Sequence, residues 1–306
     1  MSIKTYVSAI STLLLISISG CLSLDPFLFN GKELIEYELD NYRGEQECSD
    51  AIAYLNANNY PVPFTREIAL PSGKETIYGI ICTKDSVSIS ANDTVILYFH
   101  GNGDHIDYYW QRARLLFATG YPTIIIDYRG YGKSTGEPSE KGIFEDGRVF
   151  LEYIRDSLNN PSVITYSFSL GTLVGTEVTS SDVHKQIVQF ILEAPIGSIE
   201  TLTQDAAYLN IPGSYVSTYK GNNAEKIKKI NIPFLWIHGT EDETLNRITN
   251  GLPIWNNYPG QKAYYIKVEK GSHGDTPKVL TYTTYLKCLK DFIQDTPVKD
   301  PNLLSK

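Results

Sequence analysis

A serine, an aspartate and a histidine occur in an order along the chain that suits nucleophilic catalysis. Ser169 lies in the run Ser167-Phe-Ser-Leu-Gly171, between a strand-like segment and a helical one. A strand-to-helix turn exposes such a serine only if the residues two positions before and after it are small. Ser167 and Gly171 meet this condition for Ser169, whereas Ser167 has the bulkier Thr165 at that position. The turn alone is equally consistent with a serine that caps the following helix.

A general base and an orienting acid follow two later strand-like segments. His273 comes after the second of them, and its imidazole can accept the serine proton and return it to a leaving group. Asp242 comes after the first, and a carboxylate there can fix the tautomer of the imidazole. Glu241 and Glu243 flank Asp242, so the residues alone leave three candidates for the acid.

The elements that must position these residues are predicted from alternating strand and helix patterns. Unbroken apolar runs predict buried strands, and apolar residues at a spacing of three or four predict amphipathic helices. We predict a hairpin of 66–70 and 76–83, strands at 94–99, 123–127, 162–166, 186–192, 234–238 and 263–268, and helices at 106–119 (capped by Asp104), 140–158, 170–180, 247–257 and 279–293. This alternation predicts an α/β fold with a mainly parallel sheet, which binds ligands beyond the carboxyl ends of its strands.

Five stretches together resemble the α/β-hydrolase superfamily, in its Bem46-like or serine aminopeptidase-like group. They are 99–104, 127–134, 167–171, 238–242 and 271–274. The resemblance covers about residues 76–295 and implies the α/β-hydrolase fold, with helices on both faces of the sheet and a small cap insertion at about 195–230. It favours Asp242 over its two glutamate neighbours. One departure is Ser167, where the family usually has glycine, and this substitution puts strain on the turn in question.

The resemblance also implies an oxyanion hole made of two backbone N–H groups. One belongs to Leu170, directly after the nucleophile, and the other to Asn102, in the loop that follows the strand at 94–99. The glycine-rich stretch 127–134 lacks the order of a phosphate-binding loop, so we interpret it as a structural turn. No Cys/His spacing indicates a metal site, and no cofactor is implied.

The N-terminus has the layout of a bacterial lipoprotein signal peptide. An uncharged, mostly apolar stretch ends in Ile18-Ser-Gly-Cys21, which resembles the lipobox, whose cysteine is lipidated and becomes the new N-terminus. On this interpretation residues 1–20 are removed and Cys21 anchors the protein in the cell envelope; Leu22 favours the outer membrane if the host is Gram-negative. The alternative is an uncleaved membrane helix, since the uncharged stretch 5–24 has 20 residues.

Four segments follow from these patterns. They are the signal peptide 1–20, a lipid-anchored lead-in 21–60, the catalytic domain 61–298 and a C-terminal tail 299–306. Three cysteines remain after Cys21: Cys48 and Cys82 either pair or stay reduced, and Cys288 is expected to be a buried thiol in the last helix. The net charge of −8 and the absence of a long basic cluster argue against nucleic acid as a partner.

The sequence therefore predicts a serine hydrolase that cleaves carboxylic esters or thioesters through an acyl-enzyme. Its expected partners are a small or lipid-like acyl substrate and a membrane, reached through the lipid anchor. Peptide-bond cleavage uses the same groups and is the first alternative. A non-catalytic binding protein of the cell envelope, on the same fold, is the second.

Overall fold

The fold is built around one central sheet. The computed structural model describes residues 28–86, 89–207, 217–295 and 303–305. Within this part of the chain, nine strands form the sheet in the order β1-β2-β4-β3-β5-β6-β7-β8-β9. The strands are β1 Phe64–Ser72, β2 Glu75–Thr83, β3 Thr94–Phe99, β4 Thr123–Ile126, β5 Ser162–Phe168, β6 Ile187–Glu193, β7 Phe234–Gly239, β8 Ala263–Val268 and β9 Leu303–Ser305.

The sheet is parallel through its centre and antiparallel at its edges. The pairs from β4 to β8 are parallel, while β2 lies antiparallel to β4, β1 to β2, and β9 to β8. The central strands β3 and β4 are almost entirely buried apolar residues, as expected of strands covered on both faces. The predicted α/β-hydrolase fold is therefore confirmed.

Helices cover both faces of the sheet. The described helices are α1 Ala51–Ala57, α2 Ile106–Phe117, α3 Glu140–Ser157, α4 Gly171–Ser180, α5 Ile199–Ala207, α6 Asn223–Lys226, α7 Gly251–Asn257, α8 Thr276–Val279 and α9 Tyr282–Ile293. Apolar side chains of α2 and α9 belong to the core on one face, and those of α3 and α4 to the core on the other. The chain thus buries two apolar layers, with the parallel strands between them.

This topology brings four loops to one edge of the sheet. Asn102 follows β3, Ser169 follows β5, Asp242 follows β7 and His273 follows β8. These strands are parallel and lie close together in the sheet order. Their carboxyl ends therefore share one edge, where an α/β sheet binds its ligands.

Two local predictions were wrong, and a short strand lies within the predicted C-terminal tail. Asp104 was expected to cap α2, but His105 occupies that position and no side chain makes a capping bond there. The last helix was expected to be continuous over 279–293, but it breaks into α8 and α9 at Thr281, whose φ of 66° interrupts helical geometry. The segment predicted as a C-terminal tail contains β9, which pairs with β8.

The three cysteines in the described part of the chain are unpaired, and two of them are buried. Cys48 and Cys82 are both reduced, which settles the disulfide that the sequence left open. Cys82 is fully buried in β2, and Cys288 is buried in α9 as expected.

The predicted cap and the N-terminus are described only in part. In the cap, an isolated β-bridge pairs Ser198, just before α5, with Asn222, just before α6. Residues 208–216 lie outside the described residues. The predicted signal peptide and Cys21 also lie outside them. Among the helices that the structure describes, none is long and apolar enough to cross a membrane.

Candidate active site

The predicted nucleophile Ser169 lies in a tight turn between β5 and α4. Its φ of 52° is unusual for a residue with a side chain, and such backbone strain occurs preferentially at functional sites. The turn is held by a bond from the Ser169 N–H to the carbonyl of Glu193, at 3.1 Å. A Cβ on Gly171 would lie 2.0 Å from the carbonyl oxygen of Phe99, so only glycine lets the start of α4 approach β3 this closely.

Ser167 occupies the position at which the resembling family usually has glycine. Its side chain is completely buried, and its Oγ has no hydrogen-bond partner. The hydroxyl lies over Gly175 of α4, where a Cβ would come within 1.9 Å of it. The missing side chain at Gly175 makes the room that Ser167 needs. The turn therefore accommodates serine here, and the buried Ser167 is a poor alternative nucleophile.

The three residues singled out by the sequence form a continuous hydrogen-bonded chain. The Ser169 Oγ lies 2.9 Å from Nε2 of His273, and Nδ1 of the same ring lies 2.9 Å from Oδ2 of Asp242. The carboxylate is almost fully buried, whereas the imidazole is 22% exposed. This geometry allows Nδ1–H to donate to Asp242 while Nε2 accepts the serine proton.

Asp242 is held by more than His273. Its Oδ1 accepts from the N–H groups of Thr244 and Leu245, at 3.0 and 2.8 Å. Its Oδ2 also lies 3.2 Å from Nε2 of His238. Trp236 donates to the other nitrogen of the His238 ring at 3.1 Å, so the proton of that ring sits on Nε2, which lies 2.9 Å from the carbonyl oxygen of Leu245 and 3.2 Å from the carboxylate. Glu241 and Glu243 are exposed, whereas Asp242 between them is buried and contacts His273.

These contacts lower the pKa of Asp242. Burial by itself raises the pKa, but hydrogen bonds from His238 and His273, the charge of His273 and the N–H of Leu245 outweigh it. The pKa of this carboxyl is therefore held well below its ordinary value of 3.8, and Asp242 stays ionised over the neutral range.

We expect the contribution of Asp242 to stability to depend on pH. Because its folded pKa lies below its unfolded value, the stabilisation is fully present above about pH 4 and is lost as the pH falls further. The free energy of unfolding of the wild type and of Asp242→Asn, measured by urea denaturation from about pH 7 to about pH 3, should therefore converge towards acid. A difference that stays constant over this range would contradict the assignment.

Two backbone N–H groups at the carboxyl ends of β3 and β5 are the predicted oxyanion donors. Leu170 is the last residue before α4, and Asn102 lies in the loop after β3. Within the described part of the chain, neither N–H donates to another group. An unpaired N–H at a helix start beside a nucleophile is the feature that an oxyanion hole requires.

The side chain of Asn102 is engaged in three hydrogen bonds. The segment 28–34, which we call the strap, is hydrogen-bonded to this loop. Asn102 accepts from the N–H of Asn30 at 2.8 Å and donates to the carbonyl of Leu28 at 3.1 Å. Its Oδ1 also accepts from the hydroxyl of Tyr131, at 2.6 Å. The amide of Asn102 therefore braces the loop and leaves the backbone N–H as the group that can face a substrate.

Removal of this amide should have only a moderate effect on rate. We expect Asn102→Ala to lower kcat by less than about tenfold, since the loss of a true oxyanion donor typically costs about 10²–10³. The measurement is steady-state hydrolysis of a nitrophenyl ester. A loss of 100-fold or more, with the fold intact by circular dichroism, would make the side chain itself the donor.

A buried ion cluster beneath the site was missed by the sequence interpretation. Arg112 of α2 is fully buried and pairs with Glu47 at 2.8 Å and with Glu193 at 2.5 Å. Tyr166 and Tyr285 also hydrogen-bond the Glu193 carboxylate. Burial by itself raises the pKa of Glu193, but the charge of Arg112 and these hydrogen bonds hold it below its ordinary value. The one sign of this cluster in the sequence was Arg112 itself, an arginine on the apolar face of the helix predicted at 106–119.

This cluster connects the serine turn to the histidine loop. Arg112 donates to the carbonyl of Gly274 at 3.0 Å, and Thr276 donates to the carboxylate of Glu193. The ring of Phe168 lies between the Arg112 guanidinium, 4.3 Å from its centroid, and the His273 ring, at 5.2 Å. Since the carbonyl of Glu193 accepts from Ser169, one residue positions both reacting side chains.

Comparisons with known proteins agree with this architecture. A family model for the alpha/beta hydrolase fold matches residues 94–195. The chain is similar to protein bem46 of Schizosaccharomyces pombe, 28% identical over 67% of this chain and 69% of that protein. It is also similar to the lysophosphatidylserine lipase ABHD12 of Mus musculus, 28% identical over 61% of this chain but only 49% of the relative.

Two solved structures are similar to this chain in fold. The esterase Pf2001 of Pyrococcus furiosus superposes with a TM-score of 0.64 at 16% identity, covering 87% of this chain and 99% of the esterase. A cold-adapted esterase from an Arctic intertidal metagenomic library gives a TM-score of 0.56 at 18% identity, over 74% and 93%.

Proposed function

Because this chain belongs to the α/β-hydrolase superfamily, in its Bem46-like group, we propose that it is a serine hydrolase acting on carboxylic esters or thioesters. The observation that carries the proposal is the unbroken chain of hydrogen bonds from Ser169 through His273 to Asp242. A buried carboxylate, an imidazole that is partly open to solvent and a strained serine turn are the parts that acyl transfer needs.

In the proposed first step, the Ser169 Oγ attacks the acyl carbonyl carbon while Nε2 of His273 takes its proton. The carbonyl oxygen gains the electron pair and is stabilised by the N–H groups of Leu170 and Asn102. When the tetrahedral intermediate collapses, His273 gives the proton to the departing alkoxide or thiolate, and the acyl-enzyme remains. Asp242 stays ionised throughout and stabilises the imidazolium.

The second step repeats the first with water as the nucleophile. His273 removes a proton from the water, whose oxygen attacks the acyl carbon. The intermediate then releases the carboxylic acid, and Ser169 recovers its proton from His273. Every atom in this sequence comes from the substrate, from water or from the three side chains, and the cycle restores the starting protonation states.

The site is proposed to work in the cell envelope. Cys21, at the end of a lipobox-like sequence, would carry the lipid that holds the domain to a membrane. Since it lies outside the described residues, this part of the proposal rests on the sequence alone.

A fluorophosphonate probe tests the proposal directly. We expect it to label one serine, and peptide mass spectrometry should place the label on Ser169, because an activated serine is phosphonylated and ordinary serines are not. Heat-unfolded protein is the control. A folded protein that stays unlabelled would contradict the enzyme proposal. Hydrolysis of a graded series of nitrophenyl esters, with a peptide nitroanilide alongside, then separates ester from peptide specificity.

A further inference from the structure

We propose that the mouth of this site faces the bilayer that holds the N-terminus, and that the enzyme takes its acyl ester from that bilayer. The proposal rests on the proposed function and on a membrane-attached N-terminus. It deepens both, because it names the substrate class as a membrane-resident acyl lipid rather than a soluble ester. Two features carry it: the place where the strap is fixed, and the small number of residues between the strap and the predicted membrane attachment at Cys21.

The strap is fixed at the catalytic edge of the sheet. Its first residues are bonded to Asn102, the residue proposed to supply an oxyanion donor. At its other end, the N–H of Leu34 donates to Gly132 at 2.8 Å, and Gly132 donates to Lys32 at 2.8 Å. Gly132 lies in the loop after β4, on the same edge. Leu28 therefore lies beside the site.

The chain before the strap is too short to reach the far side of the domain. Leu28 follows Cys21 by seven residues, which span at most about 25 Å when fully extended. A compact chain of 306 residues has a radius of gyration of about 19 Å and is about 50 Å across. A lipid on Cys21 must therefore enter the bilayer from the side of the molecule that carries the site.

The alternative interpretation of the N-terminus gives the same orientation. If the uncharged stretch 5–24 remains as a membrane helix, Leu28 follows its last residue by only four positions. They span at most about 14 Å. The inference thus needs membrane attachment in this stretch but does not depend on the chemistry of the attachment.

The strap also adds apolar surface next to the oxyanion loop. Phe29 is 8% exposed, and its ring packs on Tyr219 of the cap with a centroid distance of 5.2 Å. Ile35, directly after the strap, is 87% exposed. Phe29 is therefore buried and fixes the strap to the cap, and Ile35 is the exposed apolar side chain that an acyl chain leaving a bilayer beside the strap would meet.

Charge does not assist this attachment. Glu33 and Glu36 are exposed next to Ile35, and the whole chain carries a net charge of −8. Such a surface is repelled by anionic lipids. The tether, rather than electrostatic attraction, must hold the mouth to the membrane, so zwitterionic phosphatidylcholine vesicles are the appropriate test surface.

Orientation can be measured without any reference to activity. Full-length protein in phosphatidylcholine vesicles is labelled with a fluorophore at Ile35→Cys or at Val183→Cys. Both native residues are exposed aliphatics, at 87% and 82%, but Val183 precedes β6 at the opposite edge of the sheet. Wild-type protein gives the background, which should be low because burial raises the pKa of the Cys48 thiol.

We expect energy transfer from the label to an acceptor lipid to be several times stronger at position 35 than at position 183. Equal transfer, or stronger transfer at 183, would overturn the orientation even if the enzyme is active. Loss of nitrophenyl acetate hydrolysis in Ser169→Ala reports on the proposed function separately, so the two failures are distinguishable.

A spacer tests the substrate class. Thirty Gly/Ser residues inserted between Leu22 and Ser23 would free the domain from its fixed orientation. We expect unchanged hydrolysis of soluble nitrophenyl acetate, but an approximately fivefold lower rate on a long-chain monoacyl ester embedded in the same vesicles. Equal rates of wild type and spacer variant on the embedded ester would overturn the proposed source of substrate.

Discussion

Replacement of Ser169 by alanine is expected to lower kcat for a nitrophenyl ester by about 10⁴- to 10⁶-fold. The variant lacks the oxygen that attacks the acyl carbon, and no other described hydroxyl lies within hydrogen-bond distance of Nε2 of His273. Folding should be little affected, since the turn is held by backbone bonds and by Gly171. Steady-state kinetics, together with a thermal unfolding curve, measure the two effects separately.

Ser167→Ala is the matched control, two residues away in the same turn. Its buried hydroxyl has no partner, so its removal takes away an unsatisfied polar group and leaves the reacting atoms in place. We expect kcat within about threefold of the wild type and a free energy of unfolding that is unchanged or slightly higher. Retained hydrolysis in Ser169→Ala, with loss in Ser167→Ala, would reverse the assignment of the nucleophile.

The second large effect is expected on stability, from Arg112→Met. This change leaves the carboxylates of Glu47 and Glu193 buried without their shared cation. Breaking a buried ion pair on one side typically costs about 3–5 kcal/mol, because the remaining charge is neither solvated nor compensated. The free energy of unfolding from urea denaturation should fall by about that amount.

Arg148→Met provides the comparison for this variant. Arg148 also pairs with a glutamate, Glu177, but its side chain is 38% exposed. Partly solvated pairs of this kind contribute about 0–1 kcal/mol. The same substitution should therefore have a small effect at position 148 and a large one at position 112. Similar losses at both positions would mean that burial does not govern the energy of the Arg112 cluster.

Features that depend on local pattern were accessible from the sequence. An apolar run predicted β3 with the residue bounds that the structure has, because a strand buried on both faces leaves an uninterrupted signature. Ser169, Asp242 and His273 each follow a parallel strand, and this pattern was enough to predict that the three side chains meet. The carboxyl ends of parallel strands lie along one edge of the sheet, so residues that directly follow such strands in the sequence lie close together in the fold.

Features that depend on distant contacts were not accessible. Glu47 and Glu193 reach Arg112 from two separate parts of the chain, and no spacing encodes that convergence. The accommodation of Ser167 depends on the absence of a side chain at Gly175, on the neighbouring helix. The break at Thr281 was missed because apolar periodicity continues on both sides of a single residue with positive φ.

Glu193 has a consequence for how the protein loses function on heating. Its main chain holds the serine turn, and its carboxylate holds the start of α8 just after the histidine loop. Opening of either segment would break contacts to the cluster that holds the fully buried Arg112, so we expect local fraying of the catalytic edge to be costly. The temperature at which turnover ceases should thus coincide with the midpoint of global unfolding, instead of preceding it as in enzymes whose reactive groups lie on loosely attached loops.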